Sequence, residues 1–376
     1  MKVKLSRTGV AAASLAATSA LVLGACSSNA EKGGSSAAPA SAVSDVTCEG
    51  KKDLKASGST AQANAMKIFS TSFAKSCDGY ELSYGGGGSG QGVSDFIEKL
   101  TDFGGSDSPL KGDEISRAAA RCGGAEAWQL PLVFGPIAVT YNVEGVDNLA
   151  LSAATLSKIF GGEIKTWNDP AIAAENPGVN LPDTPISVIY RADQSGTTDN
   201  FQKYLTAAGG WTKGDGKTFN GGVGEGKQGN PGVGSAVKPT AGSIAYVEWA
   251  YAQSNNLDMA KIITDQDKSG VPLNAETGGK TIATAKLKNG PENHNMVIDT
   301  ESFYKPASAG AYPIILATYS IVCSKNPDPE VGKGVKSFLS VAANPQNQGQ
   351  ELTNAGYIPL PADFQQKLQG SIDALQ

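Results

Sequence analysis

Hydroxyls, glycines and two kinds of charged side chain recur in four short polar stretches of this chain. They are Ser57-Gly58-Ser59-Thr60, Gly87-Gly88-Ser89-Gly90, Gly104-Gly105-Ser106-Asp107 and Arg191-Ala192-Asp193-Gln194-Ser195-Gly196-Thr197-Thr198. Their common chemistry is donation to an anion. Ser and Thr hydroxyls donate hydrogen bonds, glycine lets backbone approach a ligand closely, and Arg adds a charge-assisted pair. Where such a stretch joins a strand to a helix, the unpaired N–H groups and partial positive charge of the helix end add to the pocket. Each stretch taken singly reads as an ordinary helix cap, because Ser, Thr, Asp and Gly are the favoured capping residues. Four in one chain are harder to assign to capping alone.

The elements that must position these turns alternate strand and helix. Residues 53–60 read as a short strand running into a turn, and 61–74 carry Ala65, Ile68, Phe69 and Phe73 at helical spacing. The unit repeats as a strand at 80–84, a loop at 85–92 and a helix at 93–100 with Phe96, Ile97 and Leu100 on one side, followed by strand and turn at 101–109. A long apolar run at 128–142, broken by Pro131, Gly135 and Pro136, suits a buried strand or a crossing between domains, with a hinge at Pro136. Helix at 151–160, strand at 186–190 and a helix opening at Asp193 and reaching about Ala208 continue the pattern. Residues 209–238 are Gly-rich and read as irregular, 243–252 return to regular structure, and 312–324 form a second Pro-led β-branched run. Tyr246, Trp249 and Tyr251 read as packing aromatics. Repeated strand-turn-helix units argue for α/β architecture with mainly parallel sheets and ligands at the carboxyl ends of strands.

Composition excludes several functions. The 376 residues include 31 Lys or Arg, 36 Asp or Glu and one His, for a net charge of -5. An acidic balance lacks the basic footprint of general nucleic-acid binding. A lone imidazole cannot build a multi-histidine metal site, and any Ser-His-Asp triad would have to use His294, which sits in a polar stretch that reads as a surface loop. There is no G-x-S-x-G elbow and no cysteine pair at zinc spacing, so neither a metal nor a cofactor is expected. Gly85-x-Gly87-x-x-Gly90 imitates a dinucleotide fingerprint but lacks a clear second mononucleotide half and an acidic ribose partner. Gly221-x-x-x-x-Gly226-Lys227 imitates a P-loop but continues with Gln228 and has no strand read before it.

The N-terminus is an address. Lys2, Lys4 and Arg7 precede an uncharged run from Gly9 to Ala25, too short and Ala-rich for a membrane span, so 1–25 reads as a secretory signal. Leu23-Gly24-Ala25-Cys26 resembles a bacterial lipobox, which makes Cys26 the lipidated anchor and 26–47 a flexible tether on the outer face of the cytoplasmic membrane. Removing the signal takes the net charge from -5 to -8. Cys48, Cys77, Cys122 and Cys323 remain, an even number in an oxidising compartment, with three pairings open. Cys48–Cys77 is preferred, since it ties the first strand to the end of the first helix.

Ser57-Gly58-Ser59-Thr60, the run Tyr84 to Gly92, Asp102-Phe103-Gly104-Gly105-Ser106-Asp107-Ser108-Pro109-Leu110, Arg191 to Thr197 and the run Gly242 to Tyr251 together resemble the phosphate-binding proteins of bacterial high-affinity phosphate ABC importers. They occur in the family's order over nearly the whole mature chain. The resemblance implies a two-domain periplasmic-binding-protein-like α/β fold, with hinge-joined sheets and a ligand cleft between the domains. Domain one then covers 48–135 plus 312–376, and domain two 136–311. All four mature cysteines fall in domain one, which favours Cys122–Cys323 as the second pair. Matched residue by residue, the implied phosphate ligands are Ser59, Thr60, the Ala61 N–H, Ser89, Asp107, Arg191, Ser195, Gly196 and Thr197, with Asp193 holding Arg191. The family pattern has an aromatic residue where Ala61 stands.

Asp107 carries the expected selectivity. A carboxylate facing an anion is tolerable only if the anion brings a proton; phosphate near neutral pH keeps one and sulfate has none. The implied function is a monomeric extracytoplasmic receptor, not an enzyme, that closes on phosphate and delivers it to permease subunits. The alternatives are a secreted phosphatase using the same turns and a phosphate sensor without transport.

Overall fold

The computed structural model describes residues 46–376, so the signal at 1–25, Cys26 and the tether up to 45 lie outside the described residues. Strand β1 (Asp53–Gly58) leads to helix α1 (Ala63–Ser76), β2 (Glu81–Gly86) to α2 (Ser89–Ile97) and β3 (Phe103–Ser106) to α3 (Asp113–Arg121). Next come β4 (Ala127–Asn142), β5 (Ala150–Ser152), α4 (Ala153–Phe160), α5 (Pro170–Glu175), β6 (Ser187–Arg191), α6 (Gly196–Gly209), β7 (Glu225–Lys227), α7 (Gly229–Val237), β8 (Ser243–Glu248) and α8 (Trp249–Ser254). The chain ends with β9 (Asp258–Met259), β10 (Lys261–Ile263), α9 (Ala275–Ile282), α10 (Glu301–Tyr304), β11 (Ile315–Cys323), α11 (Pro329–Ala343), α12 (Gln350–Asn354) and α13 (Ala362–Asp373). Among the described residues no helix is long and apolar enough to cross a membrane.

Two parallel strand groups flank a pair of crossing strands. The order is β2-β1-β3-β11-β4-β8-β6-β7, with β9 paired to β4. β1 runs parallel to β2 and β3, and β6 runs parallel to β7 and β8. β11 and β4 run antiparallel to their neighbours, so the sheets are mixed rather than mainly parallel: a chain that passes between two halves and returns lays its crossing strands in opposite directions. β4 serves both halves. Its residues Ala127 to Pro136 pair with β11, and Ile137 to Asn142 pair with β8. The partner changes at Pro136, which has no N–H to contribute to a ladder. The α/β architecture is therefore two sheet halves joined by crossing strands.

Local sequence explains most element positions. In α1, Ala65, Phe69 and Phe73 are buried at helical spacing, with Met66 rather than Ile68 completing the face. The loop expected at 85–92 ends earlier, because Gly88 at φ 103° turns the chain and α2 begins at Ser89. Leu100, expected on the same side of that helix as Phe96 and Ile97, is 66% exposed: α2 stops at Ile97, and Lys99 takes a positive φ that turns Leu100 outward. The stretch at 209–238 is less irregular than expected, since it holds β7 and the glycine-rich helix α7. Residues 294–298, inside the range expected for the second domain, reach back to the crossing strands. Asn295 Oδ1 accepts from the Gln129 N–H at 2.9 Å, and the Ile298 N–H donates to the Tyr319 hydroxyl at 3.1 Å.

Cys48 is bonded to Cys77, and Cys122 to Cys323. The second bond sits in a small cluster with Val93, Phe96, Leu110, Ala118, Ala127 and Ile321, joining the end of α3 to the end of β11. It closes a span of 201 residues against 29 for the first. Because longer closed loops restrict the unfolded chain more, a Cys122→Ala/Cys323→Ala variant should lose about 1–2 kcal/mol more than Cys48→Ala/Cys77→Ala. Denaturant unfolding of both variants checks this; a larger loss at the shorter loop contradicts it.

Candidate anion-binding site

All four polar stretches lie at the carboxyl end of a strand, of β1, β2, β3 and β6. Gly58 lets the first and third turns touch, because its φ is 142° and a Cβ there would lie 2.0 Å from the Gly105 carbonyl oxygen. Ser59 Oγ donates to Asp107 Oδ2 at 2.6 Å, and Ser89 Oγ donates to the same oxygen at 3.3 Å while accepting the Asp107 N–H at 3.0 Å. The fourth turn closes on these three. The Gly90 N–H donates to the Gln194 carbonyl at 2.9 Å, and Asn200 Nδ2 donates to the Asp107 carbonyl at 2.8 Å. Gly196 fits only without a side chain: a Cβ would lie 2.5 Å from Ser89 Oγ and 2.7 Å from Asp107 Cβ.

Charge in the site is arranged around Arg191 and two carboxylates. Asp193 accepts from Arg191 Nε at 2.8 Å and from Nη2 at 2.5 Å, a bidentate pair that holds the guanidinium plane. Burial pulls the Asp193 carboxyl up, but the Arg191 pair and the Gly229 N–H outweigh it and hold the group below its usual range. Capping of α6 falls to Ser195, whose Oγ accepts the Thr198 N–H at 3.1 Å and leaves the first-turn amides of Gly196 and Thr197 to another acceptor. Asp107 differs. Burial pushes its carboxyl up to about 6, despite the lowering by Ser59, Arg191 and Ser89. Its Oδ1 is buried and has no hydrogen-bond partner among the described residues.

Of the residues singled out in the sequence, Ser59, Thr60, Ser89, Asp107, Arg191, Ser195, Gly196 and Thr197 line one buried locus, with Asp193 behind Arg191. The Ala61 N–H points elsewhere in the turn and bonds Ser59 Oγ at 3.0 Å. The turn that lacks the aromatic residue is braced by two others: the Tyr251 hydroxyl donates to the Thr60 carbonyl at 3.1 Å and that of Tyr357 to the Ala61 carbonyl at 2.7 Å. Tyr246 also does more than pack, since its hydroxyl accepts the Arg191 N–H at 3.2 Å and bonds Thr198 Oγ1 at 2.7 Å.

Other features stay outside the locus. His294 is exposed, stacked on Trp128 with ring centroids 5.0 Å apart, its Nδ1 3.3 Å from Ser371 Oγ on α13. The Gly87 and Gly88 amides of the dinucleotide-like stretch donate to the Gly58 carbonyl at 3.0 and 2.8 Å, so they do not cradle a ligand. The P-loop-like stretch does contain a strand, β7, but Lys227 pairs with Glu225. Among the described residues no group of His, Cys, Asp and Glu is placed to hold a metal ion.

One residue in the site went unread in the sequence. Asn230, fully buried at the start of α7, donates through Nδ2 to Thr60 Oγ1 at 3.1 Å and to Thr197 Oγ1 at 3.3 Å. The only sequence signal for it was a polar side chain in a Gly-rich stretch that could open a helix.

Comparison with known proteins places this geometry in a family. A model described as a PBP superfamily domain matches residues 19–346. Phosphate-binding protein PstS 3 of Mycobacterium leprae is 51% identical over 376 residues, covering 99% of this chain and all of the relative. Phosphate-binding protein PstS 3 of Mycobacterium tuberculosis strain H37Rv is 50% identical over 374 residues, covering 99% of this chain and all of that protein. A phosphate-bound structure of the high affinity periplasmic phosphate-binding protein PfluDING shares the fold, with a TM-score of 0.68 at 23% identity over 85% of this chain and 93% of that one. The chain belongs to the PBP superfamily and, within it, to the PstS phosphate-binding proteins.

Proposed function

We propose that this chain is an extracytoplasmic phosphate receptor, anchored through Cys26, which closes on one inorganic phosphate and presents it to the permease of an ABC importer. The relatives' names supply the ligand, and a fold neighbour from Clostridium perfringens is described as a putative phosphate ABC transporter substrate-binding protein with bound phosphate. The observation that carries the reading here is Asp107 Oδ1, a buried acceptor without a partner among the described residues, set among donors. A phosphate oxygen that still bears a proton would meet it. The Thr60, Ser195 and Thr197 hydroxyls, the Gly196 and Thr197 amides and Arg191 would serve the remaining oxygens, while Ser59 and Ser89 give their single protons to Asp107 Oδ2 and hold that carboxylate in place.

Closure is the mechanism. The donors come from turns after β1, β2 and β3 on one side and after β6 on the other, with β4 and β11 crossing between them near Pro136 and Tyr312. We take 48–135 plus 312–376 and 136–311 as the moving bodies. Phosphate makes contacts in the closed form that the open form cannot offer, so binding shifts the population toward closure. Binding and release of this kind need no bond to break, and the chain acts as a receptor rather than an enzyme.

Selectivity follows from one missing proton. Sulfate would set a charged oxygen against Asp107 Oδ1, and a buried charged group left unsatisfied costs about 3 kcal/mol or more, a factor above about 100. Calorimetry at pH 8 should show one phosphate bound per chain and no sulfate. Asp107→Asn, which turns the acceptor into a donor, should weaken phosphate at least about 100-fold and admit sulfate. Unchanged affinity and unchanged sulfate rejection in that variant sink the assignment of Asp107.

The same group sets a pH dependence. With its folded value raised to about 6, Asp107 is ionised above that pH and refuses sulfate, and only the protonated minority accepts it. Sulfate affinity of the wild-type protein should therefore fall about tenfold per pH unit between pH 7 and 9 and level off below about pH 6. A sulfate affinity that is flat across that range contradicts the role of the carboxylate.

A further inference from the structure

We propose that Asn230 is a positioning residue that fixes the hydroxyls of Thr60 and Thr197 as obligate donors to the bound anion. The inference rests on the phosphate-receptor reading and deepens it. Both polar side-chain atoms of Asn230 and its backbone N–H are engaged. Its Oδ1 accepts the Glu248 N–H at 3.0 Å, which can be met only by the amide oxygen and so sets which way round the amide lies. Its two Nδ2 hydrogens then go to Thr60 Oγ1 at 3.1 Å and Thr197 Oγ1 at 3.3 Å, and its own N–H goes to Thr60 Oγ1 at 3.0 Å.

A hydroxyl has two accepting positions and one proton to give. Thr60 Oγ1 accepts twice from Asn230, and Thr197 Oγ1 accepts from Asn230 Nδ2 and from Arg191 Nη1 at 3.2 Å. With accepting capacity filled in both, each O–H can only donate outward. An unconstrained threonine would rotate freely and present lone pairs to the anion part of the time. Here the Thr197 polarity is set within one half before the ligand arrives, which is the kind of preorganisation that strengthens binding at fixed contact geometry. Asn230 shares a half with Thr197 and reaches across to the turn after β1, so the Thr60 hydroxyl is set only as the halves come together. Through Glu248 it is also tied to the end of β8, beside the point where β4 changes partner, since Glu248 pairs with Ile137.

The test is phosphate titration of the full mature chain with a double-mutant cycle. Asn230→Leu should weaken phosphate about 10- to 100-fold, the worth of charge-assisted hydrogen bonds. In a Thr60→Val background the same change should cost at least about threefold less, because part of its effect acts through that hydroxyl. Asn230→Asp keeps the Glu248 contact but draws both hydroxyls onto its own oxygen, so it should lose at least about 100-fold. Thermal unfolding of the phosphate-free proteins reports folding separately. Equal losses with and without Thr60 overturn the proposal, as does wild-type affinity in Asn230→Asp, an outcome that stands even if Asn230→Leu does not fold. A wild-type protein that takes no phosphate removes the receptor reading itself, and this inference with it.

Discussion

A carboxylate buried among donors, with one oxygen unpartnered, is a costly thing for a fold to keep, and Asp107 is that group. The rest of the site is explicable as the surroundings such a group requires. Ser59 and Ser89 satisfy Oδ2, Asn200 holds the Asp107 carbonyl, and Gly196 gives up its side chain so that α6 can come close. Arg191 lies near enough to act on the carboxyl, yet it is bound to Asp193 rather than to Asp107. Neutralising Asp107 with that guanidinium would have satisfied the carboxylate and left no demand for a proton-bearing ligand. Handing the arginine to Asp193 keeps the acceptor available and the cation oriented.

Closure and selectivity are coupled through this arrangement. Burying Asp107 raises the cost of its charge, and the turn after β6 takes part in that burial, since Gly196 lies against Ser89 and Asp107. An anion with a proton would offset that cost and one without would add to it, so on the proposed reading discrimination acts on the closing step as well as on the contacts. The crossing strands fit such a motion, since β11 is buried throughout and β4 along nearly all its length while the pairing of β4 changes at Pro136. Packing keeps the crossing in place, and a proline marks where β4 passes from β11 to β8.

Much of the site was legible because it uses residues whose chemistry is local. A Ser or Gly after a strand, an Arg two residues before an Asp, and an Asp after Gly-Gly-Ser announce donors and acceptors without tertiary knowledge. The alternation of elements was legible for the same reason, down to the crossing strand that became β4. What escaped depends on distant partners. Asn230 carries no local mark of its role in a glycine-rich stretch, and α7 is hidden because Gly-Asn-Pro-Gly has low intrinsic helix propensity and the helix is held by packing on β6 and β8. Tyr246 and Tyr251 matched the pattern of packing aromatics, and nothing local shows that their hydroxyls reach Arg191 and Thr60. Leu100 was misplaced by one turn, where Lys99 at positive φ ends the helix against the apolar pattern.

The central claim is that a protonated oxyanion oxygen is what Asp107 Oδ1 awaits. The most direct measurement is a high-resolution crystal structure of the mature chain grown with phosphate at pH 8. One phosphate should sit among the four turns, with a single oxygen about 2.5–2.7 Å from Asp107 Oδ1 and the others on the hydroxyls, amides and Arg191. A phosphate bound there with Asp107 turned away from it, or bound at another place on the protein, would contradict the account.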